Sequence, residues 1–316
     1  MRWLLAFVPL AGLTLAADPP APPVKKIEPG KVVVPTDKMR RLWGELVSLD
    51  LMTRTGTFRN EATDEVMPFV VLPYAELLHH ATFGDLPDFR VGERVIFRLH
   101  EDAAGKWVWL TYIQDEMNFL HGHKEYYWVD ALDPAKGRIT FTQANADRTF
   151  TRDKGLTLET DADTRYWKAG KPAAFADIKV GDKLRTKTHG VGKGKSRVCW
   201  EVFLDDESLL KFQAEQVAAH AARMAADGLP GYVDAAAGTE VKATLFLEAR
   251  DAARGLKAGQ KVTLAPAGTD RKPTAPVAGI LTAIKPVGGL HEITVTLAAP
   301  ATGFAPAGVI RLRIIP

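Results

Sequence analysis

The 316-residue chain carries 41 Lys and Arg against 38 Asp and Glu, a net charge of +3, and is 46% hydrophobic and 25% charged. That is the make-up of a folded protein long enough for two or three cores, and its charge bias is too weak to mark the whole chain as a nucleic-acid binder. The single cysteine, Cys199, excludes an intramolecular disulfide framework and every zinc site built on two or more thiolates.

Met1 and Arg2 precede an apolar or small-residue run from Trp3 to Leu15, followed by Ala16, Ala17 and Asp18. This order predicts a secretory signal peptide over 1–17, cleaved after Ala16 or Ala17. No other stretch approaches the roughly 20 apolar residues of a membrane span. The expectation is an extracytoplasmic chain, periplasmic or secreted, with no transmembrane span after cleavage. Genomic DNA and cytosolic nucleotide cofactors are then poor candidate ligands. Residues 18–37 hold Pro19, Pro20, Pro22, Pro23, Pro29 and Pro35 and read as an extended linker.

An octad then recurs. Asp88-Phe89-Arg90-Val91-Gly92-Glu93-Arg94-Val95 returns as Asp177-Ile178-Lys179-Val180-Gly181-Asp182-Lys183-Leu184, and more weakly as Gly255-Leu256-Lys257-Ala258-Gly259-Gln260-Lys261-Val262. Each copy predicts a turn at the glycine leading into a strand of period two. The octads and the strand exits at Tyr112–Glu116 and Val202–Asp206 keep the same offset of about 90 residues, too long for a solenoid unit. Short strands between Gly, Pro, Asp and Asn turns favour small OB-like β-barrels over a sandwich. The predicted fold is mainly β: tandem barrels over 38–117 and 118–205, a connecting helix over 206–228, and a third, divergent barrel over 229–316. Within the helix, Leu210, Val217 and Met224 form the stripe expected to face protein, with Asp205 or Asp206 as cap and Gly228 and Pro230 as stop.

The elements Val180-Gly181-Asp182-Lys183-Leu184, Thr160-Asp161-Ala162-Asp163-Thr164 and Val129-Asp130-Ala131-Leu132-Asp133, with the helix ending in Gly228-Leu229-Pro230-Gly231-Tyr232-Val233-Asp234, resemble uncharacterised secreted planctomycete-type proteins with tandem OB-like domains of unknown function. The resemblance covers roughly residues 40–250. It implies barrels and export, and brings no catalytic residues with it.

Linear motifs for chemistry are weak. His121 and His123, with Glu125 nearby, are the candidate metal ligands if the segment is extended; His79-His80 reads as a helical turn. Gly190 to Ser196 fails as a phosphate-binding loop because its glycine spacing is wrong and a strand follows. Asp115-Glu116 and Asp205-Asp206-Glu207 read as caps, and no nucleophile elbow is present. No cofactor is expected.

What remains is surface. Between Lys179 and Arg197 stand seven basic residues and one acid. Period two places Lys183, Arg185, Lys187, Lys193, Lys195 and Arg197 on one side of a hairpin as an anion-binding strip. Trp107 and Trp109 are candidates for stacking on sugar rings. The functional expectation is a secreted, non-catalytic protein that binds an anionic or glycan polymer, or a partner protein, of the envelope, with nucleic acid disfavoured. Two alternatives stand beside it: an extracytoplasmic enzyme with a site assembled between barrels, and a structural spacer. Converging carboxylates or histidines between barrels favour the enzyme; exposed aromatic and basic strips favour binding.

Overall fold

The computed structural model describes residues 39–190 and 197–315. The expected signal peptide and linker, and Lys193 and Lys195, lie outside the described residues.

The first barrel is made of β1 (Met39–Asp50), β2 (Thr55–Asn60), β3 (Val66–His79), β4 (Thr82–Phe83), β5 (Arg94–Glu101) and β6 (Trp107–Asp115). Strand β1 pairs with β2 and β5, β2 with β3, β5 with β6, and β3 with β6 in parallel. The sheet therefore closes in the order β1-β2-β3-β6-β5, and its single parallel pair joins the third and fifth barrel strands, an OB topology. Helix α1 (Glu116–Gly122) leads to the second barrel: β7 (Glu125–Asp133), β8 (Arg138–Asn145), β9 (Thr151–Glu159), β10 (Arg165–Lys168), β11 (Lys171–Ala173), β12 (Lys183–His189) and β13 (Arg197–Phe203). Its ring, β7-β8-β9-β13-β12, repeats the same order with β9 and β13 parallel.

After α2 (Asp206–Asp227) comes the third barrel, of β14 (Leu229–Ala237), β15 (Glu240–Leu245), β16 (Lys261–Pro266), β17 (Val277–Val287), β18 (Leu290–Leu297) and β19 (Val309–Ile314). It is closed as β14-β15-β18-β17-β16-β19 and wholly antiparallel. This is the divergent copy: six strands and no parallel pair.

The octads occupy one kind of turn in all three barrels. Gly92, Gly181 and Gly259 have φ of +91°, +92° and +87°, where a side chain is disfavoured. Their N–H groups donate to Leu46, Val129 and Leu281 carbonyls at 2.6, 2.8 and 2.7 Å. The residue after each glycine also folds its side chain back onto a backbone N–H, Glu93 to Arg90, Asp182 to Lys179 and Gln260 to Lys257. In the first two barrels the receiving strand is the first one; in the third it is β17, which is where the topologies part.

Each barrel has its own core, around Leu46, Phe58, Phe69, Phe97 and Leu110 in the first, Tyr127, Ile139, Phe141, Leu158 and Leu184 in the second, and Val241, Leu264, Leu281, Val295 and Leu312 in the third. Alternation supplies these cores, as in β8, where Ile139 and Phe141 point in while Arg138, Thr140 and Thr142 are only partly covered.

Helix α2 begins at an Asp205 cap, whose carboxylate accepts from Ser208 N at 2.8 Å, and stops at Gly228, φ +86°. The stripe expected to face protein is corrected. Leu210 is 61% exposed and Val217 53%, while Leu209, Gln216 and Met224 are buried. The side against the first barrel is polar: Gln216 and Arg223 bond to Asp88 at 2.6 and 2.8 Å, and Arg223 and His220 pair with Asp85 at 2.7 and 3.3 Å. The helix is held to the first barrel by ions and amides, while Leu209 and Phe212 pack with Met117, Trp167 and Phe203, and Met224, alone of the expected stripe, joins the third barrel's core.

Candidate functional site

Strand β3 ends in the pair His79↔Thr82, and the two-residue connection His80-Ala81 has φ of +50° and +63°. Hairpins of this length take such angles readily with Asn or Gly; His and Ala hold them at a cost of about 1–2 kcal/mol each. The turn is fastened from outside. Asp115 Oδ2 accepts from His80 N at 2.8 Å, and His80 Nε2 meets Glu201 Oε2 of the second barrel at 3.2 Å. The reading of His79-His80 as a helical turn is thus corrected, because β3 runs through to His79.

One wall of a concave groove of about 560 Å³ is made by this turn, with Ala81, Thr82 and Phe83; the remaining lining is Arg41, Leu78, Tyr112, Gln114, Asn118, His121, Gly122 and His123. Among the described residues no carboxylate lines it. Tyr112 donates to Gln114 Oε1, which also accepts from Asn118 Nδ2, so the group Gln114 has left to offer is its amide N–H. Burial holds the Tyr112 hydroxyl in its protonated form, pushed up to about 12 although the Arg98 guanidinium stacks 4.4 Å from its ring. Burial, reinforced by Arg185, lowers the His121 pKa, leaving a neutral ring at neutral pH. His123 Nδ1 lies 2.9 Å from the Phe119 carbonyl, which fixes Nδ1 as the protonated nitrogen. The groove thus presents one guanidinium, that of Arg41, and a set of polar side chains, with Leu78 and Phe83 as its apolar lining.

Behind the turn, between the first two barrels, lies a buried polar cluster. His79, His80 and Asp115 offer ligand atoms within 4.8 Å of one another, a set suited to a transition metal. The Lys187 ammonium stands among them, 2.6 Å from His79 Nε2, 2.7 Å from Glu93 Oε1 and 3.7 Å from Asp115 Oδ2. Lysine is the cation of this site, and a metal would have to displace it. Burial lowers the His79 pKa well below the usual histidine range, with Lys187 adding to the effect. The neutral ring therefore accepts from Lys187 at Nε2, and its Nδ1–H, 3.2 Å from Gln216 Oε1, donates to that amide. Burial raises Glu93 despite Lys187, whereas for Glu201 the contacts with His80 and Lys187 outweigh burial and bring it to about 2. A second network, Arg94–Glu116, Arg94–Glu61 and Arg197–Glu61 at 2.8, 2.8 and 3.2 Å, continues the seam.

These contacts revise the expected anion-binding strip. Lys187 and Arg185 are buried, Arg185 in an ion pair with Asp206 and over the Tyr126 ring, and Arg197 is engaged by Glu61. Of the four described members only Lys183 is exposed, near the Tyr126 and Trp128 rings at 5.4 and 5.2 Å. Period two correctly separates the outer from the inner side of β12, but beyond Lys183 the outer side is covered, Arg185 by Asp206 and Tyr126 and Lys187 by Glu93 and Asp115 of the first barrel. The metal reading of His121 and His123 is corrected too. They sit at the end of α1, not on an extended chain, and Glu125 is buried against Arg152 and Gln143. Trp107 and Trp109 are both half-buried, and Arg40 lies 4.5 Å over Trp107.

The fold and these faces define a tandem small-barrel protein, an architecture whose open faces and loops serve ligand binding. Among the described residues no helix is long and apolar enough to cross a membrane. No protein-family model matches the chain, and no curated protein does. Among solved structures, the chain titled "drosophila Unr CSD456" is similar over 79% of this chain and 80% of its own, at 14% identity and a TM-score of 0.19. That overlap is too loose to bear on function, and the fold rests on the strand order above.

Proposed function

We propose that the chain is an extracytoplasmic, non-catalytic binding protein whose ligand is an acidic glycan or a related anionic polymer of the envelope. The observation that carries this reading is the groove, free of carboxylates among the described residues, where Arg41 supplies charge and Tyr112, Gln114, Asn118, His121 and His123 supply polar contacts. A set of polar groups beside an apolar lining is how concave sites hold a polyhydroxylated ligand. The guanidinium favours a sugar that carries a carboxylate or sulfate. Catalysis is disfavoured because the converging His79, His80, Asp115 and Glu93 are buried and already engaged, His79, Asp115 and Glu93 by Lys187 and His80 by Glu201. Export rests on the reading of residues 1–17.

The test is retention on immobilised acidic and neutral polysaccharide, comparing the parent with Arg41→Gln. Retention on the acidic matrix alone, weakened about tenfold by the substitution and falling with salt, is the expected result. Equal retention of parent and variant removes the groove from the account. Preferential retention on single-stranded nucleic acid removes the ligand class.

A further inference from the structure

A row of four side chains crosses the outer face of the first barrel beside the groove. Arg41 on β1 lies directly opposite Arg98 on β5, Arg98 opposite Tyr112 on β6, and Tyr112 opposite Glu76 on β3. In the two antiparallel pairs, opposite residues share a face with Cα atoms about 4.5–5.5 Å apart. The sequence neighbours Leu42, Phe97, Ile113 and Leu77 belong to the core, which leaves the row outside. The Arg98 guanidinium lies 4.4 Å from the Tyr112 ring centroid, and both Arg98 and Arg41 act electrostatically on the Tyr112 hydroxyl. Two cations from neighbouring strands thus converge on one tyrosine, and that tyrosine lines the groove together with Arg41.

Like charges opposite one another in a sheet repel, and this pair is short of partners. Neither Arg41 nor Arg98 has an ion pair among the described residues, and the Arg98 side chain makes no hydrogen bond there; its Nε is buried without a partner. Burial, and then Arg41, lower the Arg98 pKa, with Tyr112 and Glu76 only partly offsetting them. Glu76 is the carboxylate of the row. It is half-buried, makes no ion pair among the described residues and is not part of the groove lining. The row therefore sets two positive charges against one negative, and the guanidinium donors of Arg98 are unspent.

We propose that Arg41 and Arg98 together receive a sulfate ester, so that the ligand of the groove is a sulfated glycan and not a uronate one. The inference rests on the reading of the groove as an acidic-glycan site and makes Arg98 a specificity-determining residue of it. A carboxylate is planar and has two oxygens, which a single guanidinium fork satisfies. A sulfate ester presents three terminal oxygens out of one plane, so a second fork from the neighbouring strand also finds an acceptor. Charge points the same way. Two arginines less Glu76 leave one positive charge, which matches a singly charged sulfate ester better than a phosphate monoester, whose charge is about −1.5 to −2 at pH 7.

The test is calorimetric binding of the whole chain to dextran sulfate, dextran phosphate and carboxymethyl dextran of matched charge density at one ionic strength. The parent should bind dextran sulfate at least about tenfold tighter than the other two. Arg98→Gln should weaken dextran sulfate about tenfold, leave carboxymethyl dextran within about twofold, and so erase the preference. Arg98→Lys, which keeps the charge but loses the fork, should erase most of it as well. Arg40→Gln removes the same charge from the neighbouring residue, whose guanidinium lies over Trp107, and should keep the preference. Equal or tighter binding of the parent to carboxymethyl dextran or dextran phosphate overturns the proposal, as does a preference that survives in Arg98→Gln or Arg98→Lys. If Arg41→Gln weakens every acidic dextran while Arg98→Gln changes none, the groove stands and only the sulfate assignment falls. No binding of any dextran by the parent removes both.

Discussion

Replacing Lys187 by Met removes the one cation shared by Glu93, Asp115 and His79 while keeping the side chain's length and apolar stem. Glu93 and Asp115 are fully buried, and Lys187 Nζ is 2.7 and 3.7 Å from them. Stripping one partner from such a cluster leaves uncompensated charge, which costs about 3–5 kcal/mol. For a cooperative unit the size of the two joined barrels this lowers the midpoint by roughly 6–20 °C. Neutralising Lys136, a well-exposed lysine, should cost less than about 0.5 kcal/mol. The deficit also has a pH signature. Burial already raises Glu93, and without Lys187 its folded pKa rises further. A carboxyl raised above its unfolded value favours the fold most below that unfolded value and loses the advantage as pH rises through the folded one. The Lys187→Met deficit should therefore be smaller near pH 5 than near pH 7, and Glu93→Gln in the same chain should recover much of it. The assay is thermal or urea unfolding across that range. A Lys187→Met deficit no larger than that of the Lys136 variant, or one independent of pH, would refute the view that the barrels are clamped by buried charge.

The docked face of α2 gives a contrast between neighbours. Leu209→Ala should cost about 2–5 kcal/mol, whereas Leu210→Ala should stay within about 0.5, read by urea unfolding. The same helix should respond to pH through Asp85 and His220. Burial acts to raise Asp85, but His220 and Arg223 outweigh it and hold the carboxyl at about 2; the pairing with Asp85 raises His220. The Asp85 contribution is lost as pH falls towards about 2, and the His220 contribution as pH rises through its folded value. Amide exchange of α2, corrected for intrinsic rates, should be slowest between about pH 4 and pH 6.5.

The octads were legible because their glycines must take positive φ, which few other residues tolerate, so the turn leaves a mark in the sequence. Barrel closure was legible from many short strands and few helices. The third barrel's different strand order was not, since Gly259 sits in the same local turn while its N–H reaches β17 and not the first strand. The cation strip was half-legible. Alternation assigned Lys183, Arg185 and Lys187 to one side of β12, but alternation does not say whether solvent or another barrel covers that side. The polar cluster escaped because His79, Glu93, Asp115, Lys187, Glu201 and Gln216 are scattered over the chain and meet only after two barrels and a helix have assembled. A signal was present in Glu93, the octad acid whose counterpart Asp182 is only half-buried while Glu93 is fully buried. Repeat position alone does not reveal that difference. The groove was hidden as well, because its wall is a strained hairpin whose His79-His80 sequence reads locally as a helical turn.

The central claim, a binding protein selective for acidic glycans, is tested most directly by an array carrying acidic and neutral oligosaccharides and single-stranded nucleic acids, probed with residues 39–316. Signal confined to carboxylated or sulfated sugars, lost in Arg41→Gln, is the predicted result. Signal on neutral sugars or nucleic acids, or signal on acidic sugars that Arg41→Gln leaves intact, would contradict it.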